Sequence, residues 1–336
     1  MNIKVKIGKR YVGEGEPCFI IAEIGSNFDQ NLGQAKTLID KAVEAKVDAI
    51  KFQLFKADWL VPQNHPAYSI IKDNEFPRHW IEELFSYAEE KGVIFLATPF
   101  DTEAIDLLNT FDIAAFKWAS PEIYDLPLLR HAAKKQKPII LSTGTCAVED
   151  IKPAVDAVLK EGNQNIILLH CVSLYPAKPQ HANLKMMDDL RKTFHCSVGF
   201  SDHTEGIAIP IAAVARGACI VEKHFTLSRQ LKGPDHPFAV EPQELKQMVQ
   251  CIREAEQGLG LSVKGHIEGM EDPRSHRKSL AAKKDIRKGS LLEENMIMCL
   301  RTSQGIDPKD FSMLLTKSPE RDIQKFEVLQ WSMFKS

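Results

Sequence analysis

The sequence lacks an excess of charge of either sign, a long apolar run and an apolar leader. It holds 43 basic and 45 acidic residues in a chain of 336, so no global field favours nucleic acid or an anionic membrane. The longest apolar stretch, near residues 207–215, is too short to span a bilayer. We therefore expect a soluble cytoplasmic protein that binds neither nucleic acid nor membrane.

Paired cysteines are also missing. The seven cysteines are odd in number, scattered and never spaced as Cys-x-x-Cys. This pattern argues against a disulfide framework and against a thiolate cage for zinc. It fits a reducing compartment.

What the sequence does contain is a regular alternation of two kinds of segment. Eight short β-branched or aromatic runs occur at residues 19–22, 49–54, 93–97, 114–118, 138–141, 166–170, 197–200 and 219–223. The segments between them place apolar residues three to four apart with Lys and Glu between, as surface helices do. Eight strands alternating with helices over about 260 residues predict an α/β protein with a (β/α)8 TIM barrel. A doubly wound sheet is the alternative, but no Gly-x-Gly-x-x-Gly follows the first strand.

Composition changes near the end of this pattern. We assign residues 1–261 to the barrel and the polar stretch 262–278, which contains Gly and Pro, to a linker. Residues 279–336 alternate short strand-like pieces with turn residues and form a small second domain. Its core is thin, so we expect it to dock against a barrel in the same chain or in a partner.

Strand alternation predicts which side chains meet at the barrel mouth. In the second strand Lys51 and Gln53 share one face, while Ile50, Phe52 and Leu54 share the other. Active sites of TIM barrels collect at the carboxyl ends of the strands. The apolar set is therefore expected to pack on helices, and the polar pair to lie at the mouth.

The other strands deliver polar groups to the same end. The seventh places Ser201 with His203, and the eighth places Glu222 with His224. The remaining groups are Glu23 in the first strand, Thr98 in the third, Lys117 in the fourth with Ser120 and Glu122 beyond it, Ser142 in the fifth and Tyr175 after the sixth. One cavity is expected to contain them all.

Two lysines inside a barrel imply nearby anions. Burying Lys51 or Lys117 is costly unless a negative charge meets it. Glu23 or Glu122 could supply that charge, so the lysines alone do not require a ligand. Together with the four hydroxyl side chains named above they suit a phosphate plus a carboxylate, and a small dianionic ligand is the natural occupant.

Two imidazoles end neighbouring strands. His203 and His224 can converge on a divalent ion or form a hydrogen-bonded pair, and these alternatives remain open. An ion with open positions would act as a Lewis acid or activate water. Three roles are open for Asp202 and Asp235: further metal ligands, hydrogen-bond partners of the histidine ligands, or turn residues.

Nine motifs stand in order along the chain. They are Ile21-Ala-Glu-Ile-Gly25, Lys51-Phe-Gln53, Thr98-Pro-Phe-Asp101, Lys117-Trp-Ala-Ser-Pro-Glu122, Ser142-Thr-Gly144, Leu169-His-Cys-Val-Ser-Leu-Tyr-Pro176, Gly199-Phe-Ser-Asp-His-Thr204, Glu222-Lys-His-Phe-Thr226 and Gly233-Pro-Asp235. This set resembles the sialic acid synthase family, which includes N-acetylneuraminate, legionaminate and pseudaminate synthases. Residues 279–289 and 300–306 resemble that family's antifreeze-like (SAF, β-clip) C-terminal domain.

The resemblance implies an enzyme that condenses phosphoenolpyruvate with an open-chain 2-acylamino sugar such as N-acetylmannosamine. The products would be a nine-carbon 2-keto acid of the N-acetylneuraminate type and phosphate. By motif, the residues implied to hold phosphoenolpyruvate are Lys51, Thr98, Lys117, Ser120, Ser142 and Ser201. His203 and His224 would bind Mn2+ or Mg2+, which polarises the sugar aldehyde.

The resemblance assigns roles to the remaining residues as well. Those implied to orient the sugar are Glu23, Gln53, Tyr175 and Asp235. Glu122 and Glu222 are candidates for proton transfer and for steering water, and Glu23 is a third catalytic candidate. A domain-swapped homodimer is implied, in which Arg301 reaches the sugar's acylamino group from the partner chain.

The chain departs from the family pattern at positions that are expected to lie near the sugar side of the pocket. The chain has Asn27-Phe-Asp-Gln30 where the family often has Asn-His-Asn-Gly, and Ser120-Pro-Glu122 where it often has Ser-Gly-Glu. Residues 64–82 form a short segment for the family. N-acetylmannosamine, its 6-phosphate and the diacetamido trideoxy sugars of legionaminic or pseudaminic acid all remain open. The absence of Ser-Ala-Asn after the first strand slightly disfavours the pseudaminic branch.

Two other functions remain to be weighed. One is another phosphoenolpyruvate aldol-type synthase, making a deoxy-octulosonate or deoxy-heptulosonate phosphate, which would need a sugar phosphate site and no antifreeze-like tail. The other is a non-catalytic sugar-binding protein. The retention of Lys51, Lys117, His203 and His224 argues against the latter.

Overall fold

A computed structural model describes residues 1, 3–260, 276–302 and 304–335. The chain divides into two compact units, Met1–Gly260 and Leu261–Ser336. Most of the predicted linker, residues 262–275, lies outside the described residues. The linker and the docking of the small domain therefore stay predictions.

An antiparallel hairpin precedes the barrel. Strand β1 (Lys4–Ile7) pairs with β2 (Arg10–Gly13). Val5, Ile7 and Val12 are fully buried and pack with apolar side chains from the amino ends of the barrel strands. The hairpin therefore closes the end of the barrel opposite the strand carboxyl ends, and it was not predicted from the sequence.

Eight parallel strands form a closed barrel, which confirms the predicted fold. They are β3 (Phe19–Gly25), β4 (Ala49–Leu54), β5 (Ile94–Pro99), β6 (Phe116–Trp118), β7 (Ile139–Ser142), β8 (Ile166–Cys171), β9 (Ser197–Asp202) and β10 (Ile220–His224). Each strand pairs with its successor, and β10 pairs with β3 to close the ring. The chain is therefore not a doubly wound open sheet.

Helices lie between the barrel strands in the chain and after the last of them. They are α1 (Leu32–Glu44), α2 (Ala57–Leu60), α3 (Tyr68–Asp73), α4 (Ile81–Lys91), α5 (Thr102–Thr110), α6 (Leu126–Ala133), α7 (Val148–Lys160), α8 (Met186–Phe194), α9 (Ala208–Ala215) and α10 (Pro242–Leu259). Local sequence sets several of their ends. The side chains of Asn31, Asp101 and Asp125 accept a backbone N–H in the first turns of α1, α5 and α6, as N-caps do. Gly92 ends α4 at a φ of 75°, a left-handed conformation that glycine adopts without a Cβ clash.

Strand alternation separates two cores. Ile50, Phe52 and Leu54 pack with the helix layer, as predicted. Inside the barrel, apolar side chains such as Ile21 and Ile140 fill the amino-terminal half. Polar side chains of the same parity follow toward the carboxyl ends, so the fold concentrates them at one mouth.

The small unit has a core of its own. Strand β11 (Lys278–Ala282) pairs antiparallel with β12 (Ile297–Arg301), and the short helix α11 spans Phe311–Leu314. Buried apolar side chains including Leu280, Ile323 and Leu329 form one cluster. Its antifreeze-like identity stays a prediction. Among the helices of the described ranges, none is long and apolar enough to cross a membrane.

Candidate active site

Four charged side chains meet inside the barrel mouth. Lys51 Nζ lies 2.7 Å from Glu23 Oε2, and Lys117 Nζ lies 3.5 Å from Glu222 Oε1. Lys51 Nζ is also 4.0 Å from Glu222 Oε1. All four side chains are at most 6% exposed. Because each lysine is matched by a carboxylate, the buried cluster is close to neutral without a ligand.

The cluster perturbs its own ionisation. Burial lowers the pKa of Lys117 below its ordinary value. Burial opposes ionisation of Glu222, but Lys117 and Lys51 outweigh it and lower the pKa of this carboxyl. For Glu23, burial outweighs the attraction of Lys51 and raises the pKa. Glu23 is thus the carboxyl that most readily takes up a proton when a second anion enters the cluster.

Three hydroxyl groups bond to the charge cluster, and that of Ser120 lies next to it, beside the same Cys171 thiol as Ser201. The bonds are Lys51 Nζ to Thr98 Oγ1 at 3.1 Å, Lys117 Nζ to Ser142 Oγ at 2.7 Å, Ser201 Oγ to Glu222 Oε1 at 3.2 Å and the Gly144 amide to Ser120 Oγ at 2.7 Å. The structure therefore brings together the six side chains that the sequence placed around phosphoenolpyruvate.

The two histidines stand side by side at the ends of β9 and β10, with ring centroids 5.3 Å apart. His203 Nδ1 lies 2.8 Å from the Val172 carbonyl; since a carbonyl only accepts, Nδ1 carries the hydrogen and Nε2 keeps its lone pair. His224 Nδ1 is buried and has no hydrogen-bond partner among the described residues. Burial lowers the pKa of His203, and burial together with His203 and Lys51 holds the pKa of His224 well below its ordinary value.

These observations bear on metal binding. Neutral imidazoles with an available nitrogen are suited to a divalent ion, and the unsatisfied buried nitrogen of His224 leaves room for a ligand. No cluster of three or more His, Cys, Asp or Glu side chains able to hold a metal occurs in the part of the chain that the structure describes.

Asp202, which the sequence left open as a metal ligand, points away from the histidines. Its Oδ2 lies 2.6 Å from Lys223 Nζ, and both side chains are at most 1% exposed. Asp202 also accepts bonds from the amide and hydroxyl of Thr204, each 3.0 Å long. The two charges lie on the opposite parity from Ser201 and Glu222, so they form a separate buried pair outside the barrel interior.

The predicted sugar-side residues surround the histidines and Glu23. Gln53 Nε2 donates to Glu23 Oε1 at 2.5 Å. The Tyr175 ring lies 4.2 Å from the His203 ring between centroids, and Asp235 Oδ2 lies 3.8 Å from His224 Nδ1. Tyr175 is 56% exposed. These three side chains therefore stand between the charge cluster and solvent.

Two predicted residues are not joined to this cluster. Glu122 lies in a 3-10 turn, Pro121–Tyr124, and burial raises the pKa of its carboxyl. Within the described ranges, no hydrogen bond or ion pair connects that carboxyl to Lys51, Lys117 or Glu222. Arg301 ends β12 in the other unit, so its place relative to the barrel mouth stays a prediction.

Cys171 was not predicted as part of the site. Its Sγ lies 3.9 Å from His203 Nδ1, and burial raises the pKa of the thiol. A Cβ added to Gly144 would lie 2.8 Å from this sulfur. Alternation along β8 could have revealed it, because Cys171 shares the inward parity of Ile167 and Leu169.

Comparison with known proteins identifies the family. The model of the NeuB family matches residues 38–264. The chain belongs to the NeuB family. This confirms the resemblance that the nine motifs indicated.

Individual members of the NeuB family align over most of their length. The chain is 39% identical over 329 residues to an uncharacterized protein of Methanocaldococcus jannaschii, covering 98% of both. It is 37% identical over 338 residues to the N,N'-diacetyllegionaminic acid synthase of Legionella pneumophila, covering 95% of both. Among solved structures, the N-acetylneuraminic acid synthetase of Leptospira borgpetersenii, in complex with citrate, superposes with a TM-score of 0.75 at 36% identity, covering 79% of this chain and 93% of that one.

The Legionella pneumophila and Leptospira borgpetersenii relatives are named as a synthase and a synthetase, and the prediction that this chain is an enzyme is confirmed. A non-catalytic sugar-binding protein is thereby disfavoured.

Proposed function

We propose that the protein condenses phosphoenolpyruvate with an open-chain N-acylated 2-amino sugar, giving a nine-carbon 2-keto acid and phosphate. The observation that carries the proposal is the buried arrangement of Lys51, Lys117 and four hydroxyl groups beside two neutral imidazoles. Membership of the NeuB family supports the same reaction. A condensing enzyme needs an anion site and an aldehyde site next to each other, and the lysine cluster and the histidine pair are the proposed sites.

The anion site consists of the two lysines with Thr98, Ser120, Ser142 and Ser201. Phosphoenolpyruvate carries a phosphate and a carboxylate, and each can take one ammonium group and hydroxyl donors. Its charge must be balanced among side chains that are at most 6% exposed. Uptake of a proton by Glu23, whose pKa is already raised by burial, would release Lys51 from its present partner for the ligand.

We assign a divalent cation, Mn2+ or Mg2+, to His203 and His224. Nε2 of His203 and the unpartnered nitrogen of His224 would hold it. When bound, the ion supplies Lewis-acid polarisation of the sugar aldehyde. The rest of the chemistry belongs to the side chains of the cluster.

The bond changes follow from the two substrates. Carbon 3 of phosphoenolpyruvate forms a bond to the aldehyde carbon, whose oxygen takes up a proton and becomes a hydroxyl. Water then adds at carbon 2, and the carbon–oxygen bond to phosphate breaks, leaving the ketone and inorganic phosphate. Glu222 is the proposed proton acceptor for that water, because its lowered pKa keeps it ionised and its Oε2 has no hydrogen-bond partner among the described residues.

Glu122 is the weaker candidate for proton transfer. It is not bonded to the lysines or to Glu222, so a role would require the substrate to bridge the gap. Gln53, Tyr175 and Asp235 are proposed to orient the sugar, because they lie around the histidines and Glu23. Glu23 is proposed to act with them from inside the charge cluster, because Gln53 donates to its carboxylate. We also propose a cytoplasmic, domain-swapped homodimer in which Arg301 completes the sugar site.

Two classes of amino sugar are candidates for the acceptor. N-acetylmannosamine is the first candidate. Diacetamido trideoxy sugars are the second, because two relatives named N,N'-diacetyllegionaminic acid synthase, from Legionella pneumophila and Campylobacter jejuni, are 37% and 38% identical to the chain. An acceptor panel separates these candidates.

The test measures phosphate release from phosphoenolpyruvate in the presence of Mn2+ and one sugar at a time. The panel contains N-acetylmannosamine, its 6-phosphate, 2,4-diacetamido trideoxy sugars and arabinose 5-phosphate. Release with an N-acylated amino sugar, with a nine-carbon product by mass spectrometry, supports the proposal. Preference for arabinose 5-phosphate would indicate a different class of synthase. Absence of phosphate release with every sugar would overturn the proposal.

A further inference from the structure

A fully buried histidine lies outside the proposed chemistry. His236 is 0% exposed and begins the 3-10 turn His236–Phe238. Its Nε2 lies 2.8 Å from Asp29 Oδ1, and its Nδ1 lies 2.6 Å from Thr226 Oγ1. Both ring nitrogens are therefore bonded. Because an ionised carboxylate only accepts, Nε2 carries the hydrogen in the bond to Asp29.

Asp29 stands in an unusual stretch of backbone just after β3. Its φ is 50°, and that of the next residue, Gln30, is 53°. Two successive non-glycine residues in the left-handed region are costly unless side-chain contacts hold them. Asp29 Oδ2 accepts a 2.6 Å bond from Gln34 Nε2, so both carboxylate oxygens anchor the turn.

The segment that carries His236 is equally constrained. A Cβ added to Gly233 would lie 2.7 Å from His236 Cδ2, so the loop packs directly on the imidazole ring. Asp235 precedes the histidine, and a Cβ added to Gly25 would lie 3.0 Å from Asp235 Oδ2. The loop after β10 is thus fitted closely against the end of β3.

The pair joins two segments that are 207 residues apart in the chain. One is the turn after β3, where this sequence has Asn27-Phe-Asp-Gln30. The other is the loop that carries Asp235 to within 3.8 Å of His224. Moving either segment would move Asp235 at the open side of the site, while Lys51 and Lys117 are held by other partners.

We propose that Asp29 and His236 are positioning residues of the sugar site: their hydrogen bond holds the loop after β10 against the turn after β3 and so directs Asp235 toward the sugar. The inference rests on the proposed function and deepens it. Loss of the bond should weaken sugar binding and leave the phosphoenolpyruvate site intact. Neither Asp29 nor His236 is proposed to contact the sugar. Loss of their bond should weaken sugar binding because Asp235 is then displaced.

The experiment compares D29A, D29N and H236Q in the full-length protein with wild type. D29A removes the acceptor and is expected to raise the KM for the sugar by about tenfold or more. This factor corresponds to the free energy that a hydrogen bond to a charged group usually contributes. The KM for phosphoenolpyruvate should change by a smaller factor than the KM for the sugar, because Lys51 and Lys117 keep their own partners and feel Asp235 only through its charge on Lys51. D29N keeps an acceptor oxygen and H236Q keeps a donor at a similar reach, so both should fall between wild type and D29A.

A matched control is available elsewhere in the barrel. Asp112 also has a left-handed φ, 52°, but its carboxylate is 92% exposed in a surface ion pair with Lys137. D112A reproduces the backbone effect of D29A without the buried bond and should leave both KM values unchanged.

Three results would overturn the inference. If D29A does not fold, D29N and H236Q still decide, because sugar KM values equal to wild type in both would remove the role. A rise in both KM values by the same factor in D29A would indicate general distortion of the mouth. A wild-type protein that releases no phosphate with any sugar would overturn the proposed function together with this inference, whereas an active wild type with unchanged variants overturns the inference alone.

Discussion

The ion pair between Asp202 and Lys223 offers a direct test of how the barrel is held together. Replacing Lys223 by Met keeps a long apolar side chain and removes the charge. Asp202 would retain its two bonds to Thr204 but lose its only ionic partner among the described residues. Because both side chains are at most 1% exposed, water cannot take the place of the ammonium group.

The expected magnitude follows from that burial. Removing one partner of a buried ion pair costs about 3–5 kcal/mol. For a domain of this size each kcal/mol moves the Tm by roughly 2–4 °C, so K223M should melt about 6–20 °C below wild type. The double variant D202N/K223M removes both charges and keeps an acceptor for Thr204, so it should recover most of the loss.

The assay is scanning calorimetry of wild type, K223M, D202N and the double variant. K152M is the control, since Lys152 forms an exposed ion pair with Asp156 in which the lysine is 69% exposed and the loss should be below about 1 kcal/mol. The reasoning is refuted if K223M has the same Tm as the control K152M. It is also refuted if the decrease in Tm of the double variant equals the sum of the decreases of the two single variants.

Three further outcomes are expected. Removal of divalent cations with a chelator should stop phosphate release, and added Mn2+ should restore it. The His224→Ala variant should lose both activity and bound metal. Wild-type activity and metal content in that variant would contradict the assignment. Gly144→Ala should lower kcat by about tenfold or more, because its Cβ would lie 2.5 Å from Ser173 Oγ, while Gly258→Ala, which meets nothing within 4 Å, serves as the unaffected control. Arg301→Ala should mainly raise the KM for the sugar, and an unchanged value would remove the small domain from the active site.

Much of the barrel follows from local pattern. The second strand was predicted at residues 49–54 and is observed as Ala49–Leu54. The outward packing of Ile50, Phe52 and Leu54 was also anticipated. A strand's two faces are set by its own backbone, so alternation can be recognised without knowing what the strand packs against.

Convergence of the polar groups was predictable for the same reason. Once eight parallel strands close, their carboxyl ends must meet at one mouth, which is why Lys51, Lys117 and Glu222 could be placed together. Glu122 shows the limit of that rule. It lies beyond the strand on a turn, where alternation no longer decides direction, and its carboxyl is not bonded to the cluster.

The sequence by itself therefore determined the strand order, the parity of the strands that carry Lys51, Ser201 and Glu222, and the family. Only the tertiary structure decided the partners: Asp202 with Lys223, Asp29 with His236, and Cys171 beside His203. The physical reason is distance along the chain. Parity belongs to a few neighbouring residues, whereas a hydrogen bond between residues 207 positions apart exists only after the barrel has closed and brought both loops to the same rim.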